Sequence, residues 1–220
     1  MTTLHQEEQS CAMCGAKSEH TSIDSTNSFG SPDLDLRPPE MQRSTMAYRV
    51  QECPDCGYAY GSIEEKAPQA ETTITSDAYK AILSNPLNGS LTGRFLKASL
   101  ISEGAQEPEA AANYALNAAW AADDTDDKEG AISHRNRASE LFVTSLDGVD
   151  ETTEQSIVTR TRMVDILRRA ERWEEAVALA DVLLGSELDP TIKSALEFER
   201  SAASKQDGRC YTIETALGGK

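Results

Sequence analysis

In YRVQECPDCGYAY (48–60), Cys53 and Cys56 form a CxxC pair with a glycine, Gly57, directly after it. Tyr48 and Val50 alternate before the pair and Tyr58 and Tyr60 after it, which predicts a β-hairpin with the cysteine turn at its tip. CAMCG (11–15) repeats the arrangement with Cys11, Cys14 and Gly15. Glycine at that place permits a left-handed backbone, so that amide N–H groups of the turn can face the sulfurs and offset their charge. Two such turns bring four thiolates around one tetrahedral cation. Cys11, Cys14, Cys53 and Cys56 are therefore expected to hold a structural Zn2+, although the same ligands also suit iron. Four protein ligands leave no position for water or substrate, so the metal is expected to hold a fold together and not to catalyse. Its removal is expected to unfold the module, since structural zinc supplies about 10–16 kcal/mol in small fingers.

Two rival readings of the cysteines fit less well. A redox dithiol would open a helix after a strand, which neither pair does. Disulfides need an oxidising compartment, and the polar start MTTLHQEEQS has no secretory apolar run. No stretch has the apolar length of a membrane span, and a cytoplasmic location is expected. His20 reads as a surface histidine and Cys210 as a free thiol. The first turn, with Ala12 where the second has Pro54, is the looser match to the motif.

Residues 15–52 separate the pairs, against the 15–20 or so residues usual in compact zinc ribbons. Within them FGSPDLDLRPPEMQRS (29–44) carries Pro32, Pro38 and Pro39 and reads as an irregular loop. SPDLDLRP (31–38) is expected to strap across the metal module through Asp33, Asp35 and Arg37. Polar SIEEKAPQAETTI (62–74) reads as a linker. The expected organisation is a zinc-ribbon-like module (1–65), a linker with a short helix (66–89), a helical array (90–208) and a tail (209–220) that is flexible or lightly docked through Tyr211, Ile213 and Leu217.

From Thr75 onward the periodicity is helical. Helices are expected over 76–83, 90–104 with Gly104 as C-cap, 108–124 from Pro108, from Asp126–Asp127 to Gly148, over 155–173 and 174–185, and from Pro190 to near Gly208. The low aromatic content of 5% suits cores of Ala, Leu, Ile and Val between close-packed helices. The fold class is thus mainly α, preceded by a small β module. RRAERWEEAVALADVLLGSELDP (168–190) resembles a tetratricopeptide repeat, with Trp173 at the aromatic turn, Ala176 and Ala180 at the small positions and Pro190 closing the unit. Val164 departs from the glycine or alanine that family prefers. A weaker copy aligns Ala131 with Ala176, a repeat of 45 residues against the family's usual 34 or so.

The whole layout is similar to that of bacterial proteins catalogued as domain of unknown function 2225. The likeness is carried by Cys11, Cys14, SPDLDLRP (31–38), YRVQECPDCGYAY (48–60) and AAWAADD (118–124). It implies zinc and helical repeats and no activity. The tetratricopeptide resemblance further implies a concave groove for an extended peptide. That pattern places Val158, Thr161, Arg162, Asp165, Arg168 and Arg169 there, with Asn113 and Asn117 from the weaker repeat. The arginines would suit an acidic peptide or a chain terminus; alternatively they pair with neighbouring carboxylates, as on many solvated helices.

The net charge is −16, with 5 basic against 11 acidic residues over 1–66 and 16 against 26 over 67–220. Nucleic-acid binding depends on neutralising phosphate, so neither part favours it. The acidic run DDTDDKE (123–129) lacks calcium-loop spacing and reads as a helix–helix loop. His5, His20 and His134 form no triad pattern, and GxxxxGK, GxGxxG and HExxH are missing from the sequence. The expected function is a non-catalytic, zinc-stabilised adaptor with a protein or peptide partner. The alternative is a zinc-ribbon protein associated with nucleic acid in the transcription or translation machinery.

Overall fold

The computed structural model describes residues 1–218; the last two residues of the expected tail, 219 and 220, lie outside the described residues. Strands β1 (Thr3–Ser10) and β2 (Lys17–Ser25) form an antiparallel hairpin, with Ser10 opposite Lys17. β3 (Gln51–Glu52) pairs with β4 (Ala59–Tyr60) as a second, very short one. The second hairpin matches the alternation around Cys53, but Tyr48 belongs to a 3-10 turn over Arg43–Tyr48, so the strand starts later than expected. The first hairpin has no such signal, because both of its faces are largely solvated.

Seven longer and shorter helices follow: α1 (Ala70–Ile74), α2 (Asp77–Leu83), α3 (Leu91–Gly104), α4 (Pro108–Asp123), α5 (Lys128–Ser145), α6 (Glu154–Arg169) and α7 (Trp173–Leu184). Then come α8 (Pro190–Ser204) and the single turn α9 (Ile213–Ala216). From α3 to α8 each helix packs on its sequence neighbours, and α6 also meets α8. Short loops force this stacking. The mainly helical class is as expected. The cores are built from small residues: α4 buries Ala111, Ala112, Ala115, Ala118 and Ala119 around Phe95, Leu116, Phe142 and Ile166. A second cluster joins Val164, Leu167, Ala176, Ala180, Leu183 and Leu196 across α6, α7 and α8.

Helix starts follow capping chemistry. Ser90, Asp127 and Thr153 each accept a hydrogen bond from the amide three residues on. Helix ends follow a rule that glycines do not mark. After α3, α4, α6 and α8 the left-handed residue is Gln106, Asp126, Glu171 or Gln206. Each end closes with the same two bonds; after α6 they are Arg172 N–H to the Leu167 carbonyl at 2.9 Å and Glu171 N–H to that of Arg168 at 3.1 Å. This is the Schellman geometry. It ends α6 at Arg169, so Trp173 opens α7 where the periodicity had placed it in α6. Gly104 is not the cap; it sits where a Cβ would meet Thr73 Oγ1 at 2.2 Å, and so lets α1 lie close on α3.

The stretch expected as a linker is structured. Ile63, Ala67 and Ala70 are buried with Tyr58, Tyr60, Tyr79 and Ile101 against Cys11 and Cys53. The cysteine module therefore shares a core with α1, α2 and α3 and is not a separate bead. Several of its apolar partners, Ala67, Ala70, Tyr79 and Ile101, lie beyond residue 65.

Candidate metal centre

The two CxxC turns sit at the tips of the two hairpins and face each other. Sγ of Cys11 lies 3.7 Å from that of Cys56, and Sγ of Cys14 lies 3.6 Å from that of Cys53. All four sulfurs fall within 4.8 Å of one another. Four sulfurs about 2.3 Å from a tetrahedral ion stand about 3.8 Å apart, so the donor set fits a metal ion. It is the one His, Cys and carboxylate cluster of metal-holding geometry found among the described residues.

The turns are built alike. Gly15 (φ +75°) and Gly57 (φ +72°) take the left-handed backbone that closes each turn, and their amides donate to the carbonyls of Cys11 at 2.8 Å and Cys53 at 2.9 Å. Met13 N–H faces the Cys11 sulfur at 3.4 Å, and Asp55 N–H faces that of Cys53. The amides of Ala16 and Tyr58 face Cys14 and Cys56 in the same way. These donors favour thiolate. The Ala16 amide lowers the Cys14 thiol, whereas burial pushes those of Cys53 and Cys56 up. A metal entering here must therefore displace protons. Ala12 has its own reason: its N–H donates to the Ile63 carbonyl at 2.8 Å, a bond proline could not make. The first turn is thereby tied to the segment that follows the second hairpin. His20 stands apart, its Nε2 2.9 Å from Ser18 Oγ on the same strand.

Residues 31–38 do not strap the metal module. They leave it and enter the helical array. Asp35 is fully buried, accepting from Trp120 Nε1 at 2.7 Å and Arg169 Nη1 at 3.1 Å. Arg37 reaches Asp124, and Asp33 pairs with Arg43 at 2.7 Å. Asp123 completes the cluster by binding Arg135 and Arg169. The stretches SPDLDLRP and AAWAADD, far apart in sequence, are thus one contact. Because one CxxC turn precedes this segment and the other follows it, a bound metal closes a loop around it.

The expected groove residues divide accordingly. Arg169 is engaged by Asp35 and Asp123. Asp165 and Arg168 are buried, and Arg168 binds Asp165, Glu199 and the carbonyls of Asp207 and Arg209. These three are structural and closed to a ligand: the chain's own acidic segment takes Arg169, while Asp165 and Arg168 are taken by each other, by Glu199 and by the carbonyls that follow α8. Asn113 donates to its own helix at the Glu109 carbonyl, 2.9 Å away, and Asn117 is half-buried on the same helix. Arg162 differs: its guanidinium lies 4.2 Å from the centre of the Phe142 ring, with no carboxylate in ion-pairing range among the described residues. Arg135, Asp123, Trp120 and Glu199 were not expected here. The signal for Arg135 was present: it interrupts an otherwise buried stripe of Ala131, Ala138 and Phe142.

Comparison with family models, with curated proteins and with solved structures gives no match for this chain. No helix among the described residues is long and apolar enough to cross a membrane.

Proposed function

We propose that the chain is a zinc-stabilised, non-catalytic adaptor that binds other proteins. In this reading the helices form irregular tetratricopeptide-like repeats, the layout is that of the domain of unknown function 2225 proteins, and the protein works in the cytoplasm. The observation that carries the proposal is the four-sulfur cluster at two hairpin tips, a donor set that can fill a tetrahedral shell from the protein alone. The acidic composition and the engagement of Arg37, Arg135, Arg168 and Arg169 by the chain's own carboxylates favour a protein partner over nucleic acid.

Two measurements test this. Elemental analysis of purified protein should give one zinc per chain, lost in a Cys53→Ala, Cys56→Ala variant; unchanged metal content in that variant rules the site out. Affinity purification at low salt with nuclease treatment should retain a defined protein. Loss of every partner on nuclease treatment would instead favour the nucleic-acid alternative.

A further inference from the structure

The groove expected from the helical pattern is filled in two layers of unlike character. Residues 33–37 form the inner layer and are buried and ion-paired. The tail forms the outer layer, anchored where it begins by Arg168 Nη1 on the Arg209 carbonyl at 2.9 Å and only partly buried beyond that point. Tyr211 and Thr212 lie in extended chain beside the inner segment and Ile213 opens α9: Leu34 N–H donates to the Tyr211 carbonyl at 3.0 Å, and Ile213 N–H to the Pro32 carbonyl at 2.9 Å. Asp33 and Thr212 are the bridged pair between them. Tyr211 meets Phe198 edge-on at 5.0 Å. No residue of 209–218 is fully buried.

Beneath Ile213 the fit is incomplete. A cavity of about 140 Å³ remains between Leu34, Leu36, Val158, Ile192, Ala195 and Ile213. An apolar space of roughly 150 Å³ accepts a benzene ring. Arg162, the groove arginine without a carboxylate, lines the same cavity, and its Nε is buried with no hydrogen-bond partner.

We propose that this strip, between residues 32–34, α6 and α8, is a strand-docking site that the chain's own tail occupies as a weak stand-in. Its partner is an extended protein segment that adds to the 32–34 edge, carries an aromatic or long aliphatic side chain at the Ile213 place, and presents a carboxylate to Arg162. The proposal rests on the adaptor reading and names the class of partner. Backbone bonds to the exposed edge supply affinity, and the pocket supplies choice. A tethered tail competes at an effective concentration in the millimolar range for short linkers, so a partner must use what the tail leaves unused. The unfilled cavity and a guanidinium in no direct ion pair are those features.

The test uses the chain truncated after Gly208 and a synthetic peptide of residues 207–218. The truncated chain should bind that peptide at least tenfold more tightly than the full-length chain does. Ile213→Phe in the peptide should strengthen binding severalfold, and Tyr211→Ala with Ile213→Asp should abolish it. If truncation harms folding, the full-length chain carrying Tyr211→Ala and Ile213→Asp serves in its place. Selection from a random twelve-residue peptide library should enrich a bulky apolar residue beside Asp or Glu, with the acidic preference lost on Arg162→Met. Equal binding of native and scrambled peptides overturns the proposal, as does enrichment of basic peptides. A full-length dimer that disappears on truncation would assign the strip to a second copy and also overturn it. None of these readouts depends on whether a partner is found in the native host, so failure here is separable from failure of the adaptor reading.

Discussion

Arg168 is fully buried between two acids, and the arithmetic of charge there is uneven. Its guanidinium binds one oxygen each of Asp165 and Glu199, while Asp165 Oδ2 and Glu199 Oε1 are buried without a donor. One proton held between the two carboxyls satisfies both. Burial, together with the neighbouring Asp165 charge, accordingly pushes Glu199 well above the usual carboxylate range. A carboxyl raised in the folded state contributes stability at acid pH that is lost as pH climbs from about 4, the unfolded value, through the folded one. Glu199→Gln imitates the protonated form. It should leave the denaturation midpoint unchanged near pH 4 and equal or raise it at pH 8. Arg168→Met leaves two acids without a cation and should cost about 3–5 kcal/mol at neutral pH, read by urea unfolding. Asp123 has the opposite sign: burial raises it, but Arg135 and its fellow arginines outweigh burial and hold it below the usual range. Its contribution is present above about pH 4 and falls away as the pH drops through that lower value.

At the scale of elements, the helix starts at Pro108, Asp127 and Pro190 were readable from first-turn prolines and a capping acid, and helix ends were not. Gln106, Asp126, Glu171 and Gln206 hold the left-handed conformation that glycine usually marks, so periodicity ran past the true end of α6. Gln106 is exposed and its side chain opposes its backbone. Gln106→Gly should therefore stabilise the chain by about 0.5–1 kcal/mol, measurable as a shift in denaturant midpoint. The β3–β4 hairpin was legible from its alternating tyrosines. The longer β1–β2 hairpin was not, since a ribbon solvated on both faces leaves no alternation in the sequence. Metal removal separates these elements. An ion at the four sulfurs would hold the two CxxC turns, while Tyr58, Ile63 and Tyr79 pack in one cluster with Ile101 of α3 without it. Chelation should expose the amides of residues 11–16 and 53–58 to hydrogen exchange and leave α4–α8 protected. Global loss of protection would show that the metal supports the whole chain.

For the whole molecule, the helical class and the clustering of the four cysteines could be read from local pattern, because periodicity and CxxC spacing are local. The destination of residues 31–38 could not, since nothing beside Asp35 indicates Trp120 or Arg169. That segment joins the two halves of the protein. Asp35→Asn keeps an acceptor for Trp120 but leaves Arg169 with one carboxylate, and Arg135 with less opposing charge. It should cost about 3–5 kcal/mol. It should also split a single thermal transition into two, with the cysteine module melting apart from α4–α8. A single transition of unchanged midpoint would show that the halves are coupled through α3 instead.

The enclosure of residues 31–38 between the two cysteine turns also bears on how the chain is made. Synthesis delivers both turns and the acidic segment between them before any residue of the array leaves the ribosome. The segment is then a template already in place. As helices emerge, α4 brings Trp120 to Asp35 and adds Asp123, α5 brings Arg135 to Asp123, and α6 brings Arg169 to both carboxylates. The tail arrives last and finds only the outer edge of that segment left to pair with.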